Sequence, residues 1–130
     1  MITNKLFVGF VKRLRYNFML ILLFLAINNL NAQFSQNKRA DKLFTQSKYE
    51  HALNIYLSIY QSKKPAEDSL VIIDKIAQCY RLTRNNENAL IWYKKLLNIQ
   101  ESNNITYFYY AQLLNSSGQK VLAEKWFKKY

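Results

Sequence analysis

Turn-forming residues are scarce in this chain, with two glycines and one proline among 130 residues. An all-β fold of short strands needs far more punctuation than that, so the composition excludes one and favours long helices with tight connections. Cysteine is scarcer still: Cys79 stands alone, which rules out an intramolecular disulfide and any metal cluster built on thiolates. It lies in a helical run, IAQCYRL, where a small apolar filler is the simplest role. His51 is the single histidine, sits one residue before a packing alanine and should face outward, so serine and cysteine have no base to activate them. No glycine-rich phosphate loop and no HExxH-like pair occurs. The eight acidic residues are scattered, and no pair repeats at a spacing that would build an acid–base site. These absences argue against an enzyme and against a cofactor or metal. Disorder is also disfavoured, because half the residues are hydrophobic.

Acidic residues are missing altogether from the first 32 positions, which hold Lys5, Lys12, Arg13 and Arg15. Four of the nineteen basic residues fall there, so fifteen face all eight acids in the remainder, and the total of +11 drops to +7. That excess permits an acidic partner without requiring one. The run Phe18 to Ile27, FMLILLFLAI, follows the basic stretch and leads into NNLNAQ. A basic start, an apolar core and a small residue at the cut describe a secretory signal peptide, with cleavage after Ala32 and Gln33 as the new N-terminus. Leu30, three residues before the cut, is larger than such sites prefer. The alternative is an uncleaved anchor, although ten apolar residues are short of the roughly twenty that span a bilayer. The expected division is a signal segment over 1–32 and one helical domain over 33–130.

Within that domain three residues recur as a set. Ala40, Ala52 and Tyr56 form the first, Ala77, Ala89 and Tyr93 the second, and Ala111, Ala123 and Phe127 the third. The two alanines are twelve apart, the aromatic follows four later, and the sets are shifted by 37 and then 34 residues. A fixed shift of this size is the signature of stacked structural repeats. An alanine and an aromatic four apart share one helix face, and the other alanine lies on a preceding helix across a short turn. Two antiparallel helices pressed together at small residues make an αα-hairpin, and stacked hairpins bury a core that none buries alone. The expected fold is therefore all-α, with three stacked antiparallel helical hairpins after an N-terminal signal helix. The repeats fall at about 33–69, 70–103 and 104–130, with helices expected over 35–46, 49–62, 69–83, 87–99, 105–115 and 119–130. Asn85 or Asn86 caps the fourth helix, and Gly118 takes a left-handed conformation after the fifth. Pro65 marks the turn that carries the three extra residues of the first repeat. An ordinary helical bundle with chance alanines is the plainer alternative.

The Ala/Ala/aromatic register resembles the tetratricopeptide repeat over about residues 34–130. Ile59, Leu96 and Tyr130 stand where that family has a small residue, and its usual closing proline is missing or displaced. The resemblance implies a concave face lined by the first helix of each hairpin. Carried over, that face presents Phe34, Asn37, Asp41 and Phe44, then Val71, Asp74, Gln78 and Arg81, then Ile105, Phe108, Gln112 and Asn115. A mixed apolar and amide groove suits an extended peptide or a partner helix. The carboxylate clamp of one tetratricopeptide subclass would fall on Asn37, Asp41, Lys75, Ile105 and Tyr109; with one basic residue and an opposing acid, that reading is rejected. Lys94-Lys95 and Lys128-Lys129 recur just after the packing aromatic, read here as solvated charge in the second half of a helix rather than a polyanion site.

The stretches QNKRADKLFTQSKYEHALNIY and ITYFYYAQLLNSSGQKVLAEKWFKKY resemble a family of Bacteroidetes envelope proteins. Members of that family have a signal ending in AQ, tetratricopeptide hairpins, a β-propeller-like region and an OmpA-like peptidoglycan-binding domain. The resemblance implies an exported protein in the periplasm or at the outer membrane, associated with type IX secretion or gliding and partnered by an envelope or outer-membrane protein. Peptidoglycan binding does not carry over, because only the front part of the family pattern is here. The sequence is thus expected to specify a protein-binding scaffold or adaptor, acting through the groove or through an uncovered last hairpin. The alternatives are a membrane-held structural component that keeps its signal helix, or the front of a longer OmpA-like protein. Nucleic acid is not an expected partner, and membrane contact is expected only if the signal helix is retained. Trp126, Phe127 and Tyr130 crowd the final helix, and part of that aromatic surface is expected to lie uncovered.

Overall fold

A computed structural model describes residues 2–62, 69–99 and 104–130. Among the described residues every regular element is a helix, and there is no strand. The helices are α1 (Ile2–Thr45), α2 (Tyr49–Ser62), α3 (Ser69–Leu82), α4 (Asn86–Ile99), α5 (Asn104–Ser116) and α6 (Lys120–Phe127). The expected turn at Pro65 lies outside the described residues. Five helices keep the boundaries read from the pattern to within a few residues. The first does not: instead of beginning near residue 35, α1 is a single helix of 44 residues. The reason is local, because no glycine or proline occurs between Gly9 and Pro65, and asparagines such as those of NNLN are poor helix formers without being breakers.

The chain forms two compact units, Met1–Ser35 and Gln36–Tyr130. In the first, the side chains from Phe18 to Ile27 are exposed all round the helix. Among the described residues, no helix is long and apolar enough to cross a membrane.

In the second unit α2 packs on α3, α3 on α4, α4 on α5 and α5 on α6. The last turns of α1 join α2 through Ala40, Ala52 and Tyr56, which share one cluster with Ile59, Ile72, Ile76 and Cys79. A second cluster gathers Ala77, Ala89, Tyr93, Tyr110, Leu113, Leu114 and Ala123. All six alanines of the recurrent sets are buried, and so are Tyr56 and Tyr93. Phe127 is the exception among the packing residues, at 37% exposed. His51 is exposed.

Three connections share one geometry. After α1, Lys48 N–H donates to Leu43 C=O at 2.9 Å and Ser47 N–H to Phe44 C=O at 3.0 Å. After α3, Asn85 donates to Tyr80 at 2.9 Å and Arg84 to Arg81 at 3.1 Å; after α5, Gln119 donates to Leu114 at 2.9 Å and Gly118 to Asn115 at 3.1 Å. This is the paired bonding of a Schellman turn, which requires a left-handed residue just past the helix. Ser47, Arg84 and Gly118 supply it, with φ of 59°, 61° and 83°. Their spacing is again 37 and 34, so turns and packing alanines keep one register. Asn85 then caps α4, its Oδ1 accepting from Asn88 N–H at 3.3 Å.

Candidate functional site

The residues read as a groove sit on α1, α3 and α5. Their side chains are placed by bonds within and between helices. Asp41 accepts a hydrogen bond from the Tyr56 hydroxyl at 2.6 Å, tying α1 to α2. Burial, with help from the Asp41 carboxylate, pushes the Tyr56 phenol well above its ordinary range. Tyr93 is the equivalent tyrosine by the shift of 37, but its hydroxyl accepts from Arg81 Nε at 3.4 Å, a residue at a different position from Asp41. Burial lifts Tyr93 to about 12 even though Arg81 pulls the other way. In the third repeat Phe127 has no hydroxyl to share, and its ring meets Phe108 edge-on at 5.9 Å. The sequence shows the loss of that hydroxyl, but not that Phe108 replaces the polar partner.

Asp74 is half-buried and accepts from Gln78 Nε2 at 2.7 Å, one helical turn away. Burial raises its carboxyl above the usual range, opposed by the Gln78 hydrogen bond and by Lys75 and Arg81. Asn37 Oδ1 is buried and accepts no hydrogen bond among the described residues. Gln112 and Asn115 are exposed on α5, and Phe44 and Phe108 are half-buried. Of the additional groove positions, Phe34, Val71 and Ile105 are all exposed.

Two cation–aromatic contacts join α3 to α1 and to α5, and sequence reasoning missed both. Lys75 Nζ lies 4.3 Å from the centre of the Phe44 ring, joining α3 to α1. The Arg81 guanidinium lies 3.8 Å from the centre of the Tyr109 ring, joining α3 to α5. Phe44 and Arg81 are equivalent by the shift of 37, and Lys75 and Tyr109 by the shift of 34. The same two positions are used at both junctions with cation and ring exchanged. Each such contact is worth about 0.5–1 kcal/mol at an exposed site and more when desolvated. Placing the residues in register would have brought the exchange to light, but only once the register was known to put them on adjoining helices.

The lysine doublets also have a definite place. Lys95 lies over Trp92 and over Tyr60 of α2, at 5.1 and 4.5 Å, and Lys129 over Trp126 and Tyr107 of α5, at 4.6 and 5.9 Å. Lys128 instead pairs with Glu124 at 2.9 Å on the surface. Plain solvated charge therefore does not describe these three lysines: Lys128 is ion-paired, and Lys95 and Lys129 lie across aromatic rings.

Cys79 is fully buried in the first cluster, and desolvation pushes its thiol up to about 12, only partly offset by Lys75. Such a thiol is a packing group, not a nucleophile. Among the described residues, no group of three or more His, Cys, Asp or Glu is placed to hold a metal ion. A shallow cavity at Ser47, Lys48, Tyr49, Glu50, His51 and Thr83 has no convergent acid–base pair beyond Glu50 and the exposed His51. No protein-family model matches the chain, and no curated protein matches it.

Proposed function

We propose that this protein is an exported helical-repeat scaffold of the tetratricopeptide kind that binds another protein. In this reading α1–α2, α3–α4 and α5–α6 are three hairpins of one stack, and the first helices line a groove. The observation that carries it is the shared register: turn residue, packing alanines and junction cation–aromatic pair all recur at the same two shifts. A groove that mixes acids, amides and rings, and whose cation Arg81 lies on the Tyr109 ring, suits peptide or helix recognition rather than catalysis. The basic, apolar N-terminal segment supports export to the periplasm or outer membrane, with an envelope protein as partner.

A second reading keeps residues 1–32 as an anchor, favoured by the apolar side chains exposed all round α1 from Phe18 to Ile27. Mass analysis of the exported chain separates the two, since a mature start at Gln33 removes the anchor. The binding reading is tested by affinity capture from an envelope fraction with the full chain and with a Gln78→Lys, Gln112→Lys variant. A partner held by the wild type, lost by the variant and rebound from purified components is the expected result. Equal capture by both proteins would remove the groove from the account.

A further inference from the structure

The groove residues of α1, α3 and α5 offer more hydrogen-bond acceptors than donors. The cations of α3 are Lys75 and Arg81, and α5 has no charged residue. Both cations are already engaged, Lys75 on the Phe44 ring, and Arg81 on the Tyr109 ring and the Tyr93 hydroxyl. The acceptors are not. Asp74 takes a hydrogen bond from Gln78 at 2.7 Å, and Asp41 one from the Tyr56 hydroxyl at 2.6 Å. An ionised carboxylate has room for about four. Among the described residues neither aspartate is in an ion pair; the pair that forms is Lys128 with Glu124. A second, independent sign is Asn37, equivalent to Asp74 by the shift of 37. Its Oδ1 is buried and accepts nothing among the described residues.

Such acceptors are costly to keep. Half-buried Asp74 gives up water, and burial raises its carboxyl although Gln78, Lys75 and Arg81 pull the other way. A side chain that costs the fold and gains it no ion pair is best explained by what it binds. Apolar side chains border it. Val71, one turn before Asp74, is 63% exposed, and Ile105, at the same place on α5 by the shift of 34, is 43% exposed. The chain's formal charge of +11 opposes a run of cations in a ligand far more than a single one. We infer that the groove binds an extended segment of a partner protein through one lysine or arginine received by Asp74, with Asp41 of adjoining α1 adding negative charge and a bulky apolar neighbour lying on Val71 and Ile105. The polarity is the reverse of a carboxylate clamp. This deepens the scaffold reading and rests on it, because the stack is what puts α1, α3 and α5 on one face.

The probes are pools of end-blocked peptides added to the full chain. Each pool is randomised except for an isoleucine beside a central lysine, arginine, norleucine or glutamate. The lysine and arginine pools should bind roughly fivefold or more tightly than the norleucine pool, which keeps the stem without the charge, and the glutamate pool should bind least. Asp74→Asn should abolish that preference while being at least as stable as wild type at pH 7, a combination that damage to the fold would not give. Asp41→Asn should weaken the preference, and Ile91→Asn, on exposed α4 surface, should leave it unchanged. Charge-blind binding that the Gln78→Lys, Gln112→Lys variant still abolishes overturns this proposal alone and keeps the groove. A lysine preference that survives both aspartate substitutions overturns it as well. So does spermidine binding as tightly as the lysine pool and lost in Asp74→Asn, which would make the ligand a small amine. Binding of no pool also overturns it, and equal capture of envelope proteins by wild type and groove variant would then remove the groove beneath it.

Discussion

Gly118 offers the sharpest test of the turn geometry. Its φ is 83°, and a Cβ built there would meet nothing within 4 Å. Any cost of a side chain is therefore conformational, not steric. A non-glycine residue in the left-handed region costs about 1–2 kcal/mol, and roughly 0.4–1 kcal/mol returns because the unfolded chain loses freedom. Gly118→Ala should thus destabilise by about 0.5–1 kcal/mol, which moves the melting temperature by a few degrees in a domain of this size. Because the space is open, Gly118→Leu should cost nearly the same as Gly118→Ala, and Gly118→Asn less, since asparagine tolerates this conformation. Arg84, at φ 61°, should show the reverse sign: Arg84→Gly gains about 0.5–1 kcal/mol. Ser47→Gly should gain less, because it gives up the hydrogen bond from the Tyr49 hydroxyl to Ser47 Oγ at 3.3 Å. The assay is urea unfolding with the slope checked for constancy. A neutral Gly118→Ala, or a loss that grows with side-chain size, would refute the reasoning.

Ala89, fully buried between helices, should tolerate leucine poorly, at a cost of about 1–3 kcal/mol, while exposed His51→Ala should stay within about 0.5 kcal/mol; denaturation ranking them the other way would show the register to be wrong. The Cys79 thiol, buried and raised to about 12, should resist a thiol reagent in the native protein and react fully in denaturant; fast native labelling would contradict its placement. Burial raises the Asp74 carboxyl, so its proton favours the fold: that stability is full below about pH 4 and lost as pH rises through the folded value. Asp74→Asn should therefore be more stable than wild type at pH 7, with the gap closing near pH 3, and a less stable Asn variant at pH 7 would reverse the sign of the argument.

Much of this protein is legible in its sequence because the signals are local. Helical periodicity, the rarity of glycine and proline, and the recurring alanines depend only on residues within a turn or a repeat of one another, and they placed α2 to α6 and the buried alanines. Asn85 and Gly118 announced their roles in the same way, through preferences of the backbone at helix ends. Ser47 and Arg84 did not, because neither residue type prefers a left-handed conformation; the bonds closing each turn hold them there. The start of the first globular helix was misplaced because a polar stretch without a breaker need not end a helix. Tertiary structure alone decided that Lys75 lies on Phe44 and Arg81 on Tyr109, since a cation and a ring many residues apart meet only when their helices adjoin. Exposure at the last repeat was decided the same way. Phe127 matches Tyr56 and Tyr93 in pattern, but burial depends on the neighbour that covers a residue, and the pattern of a helix does not contain its neighbour.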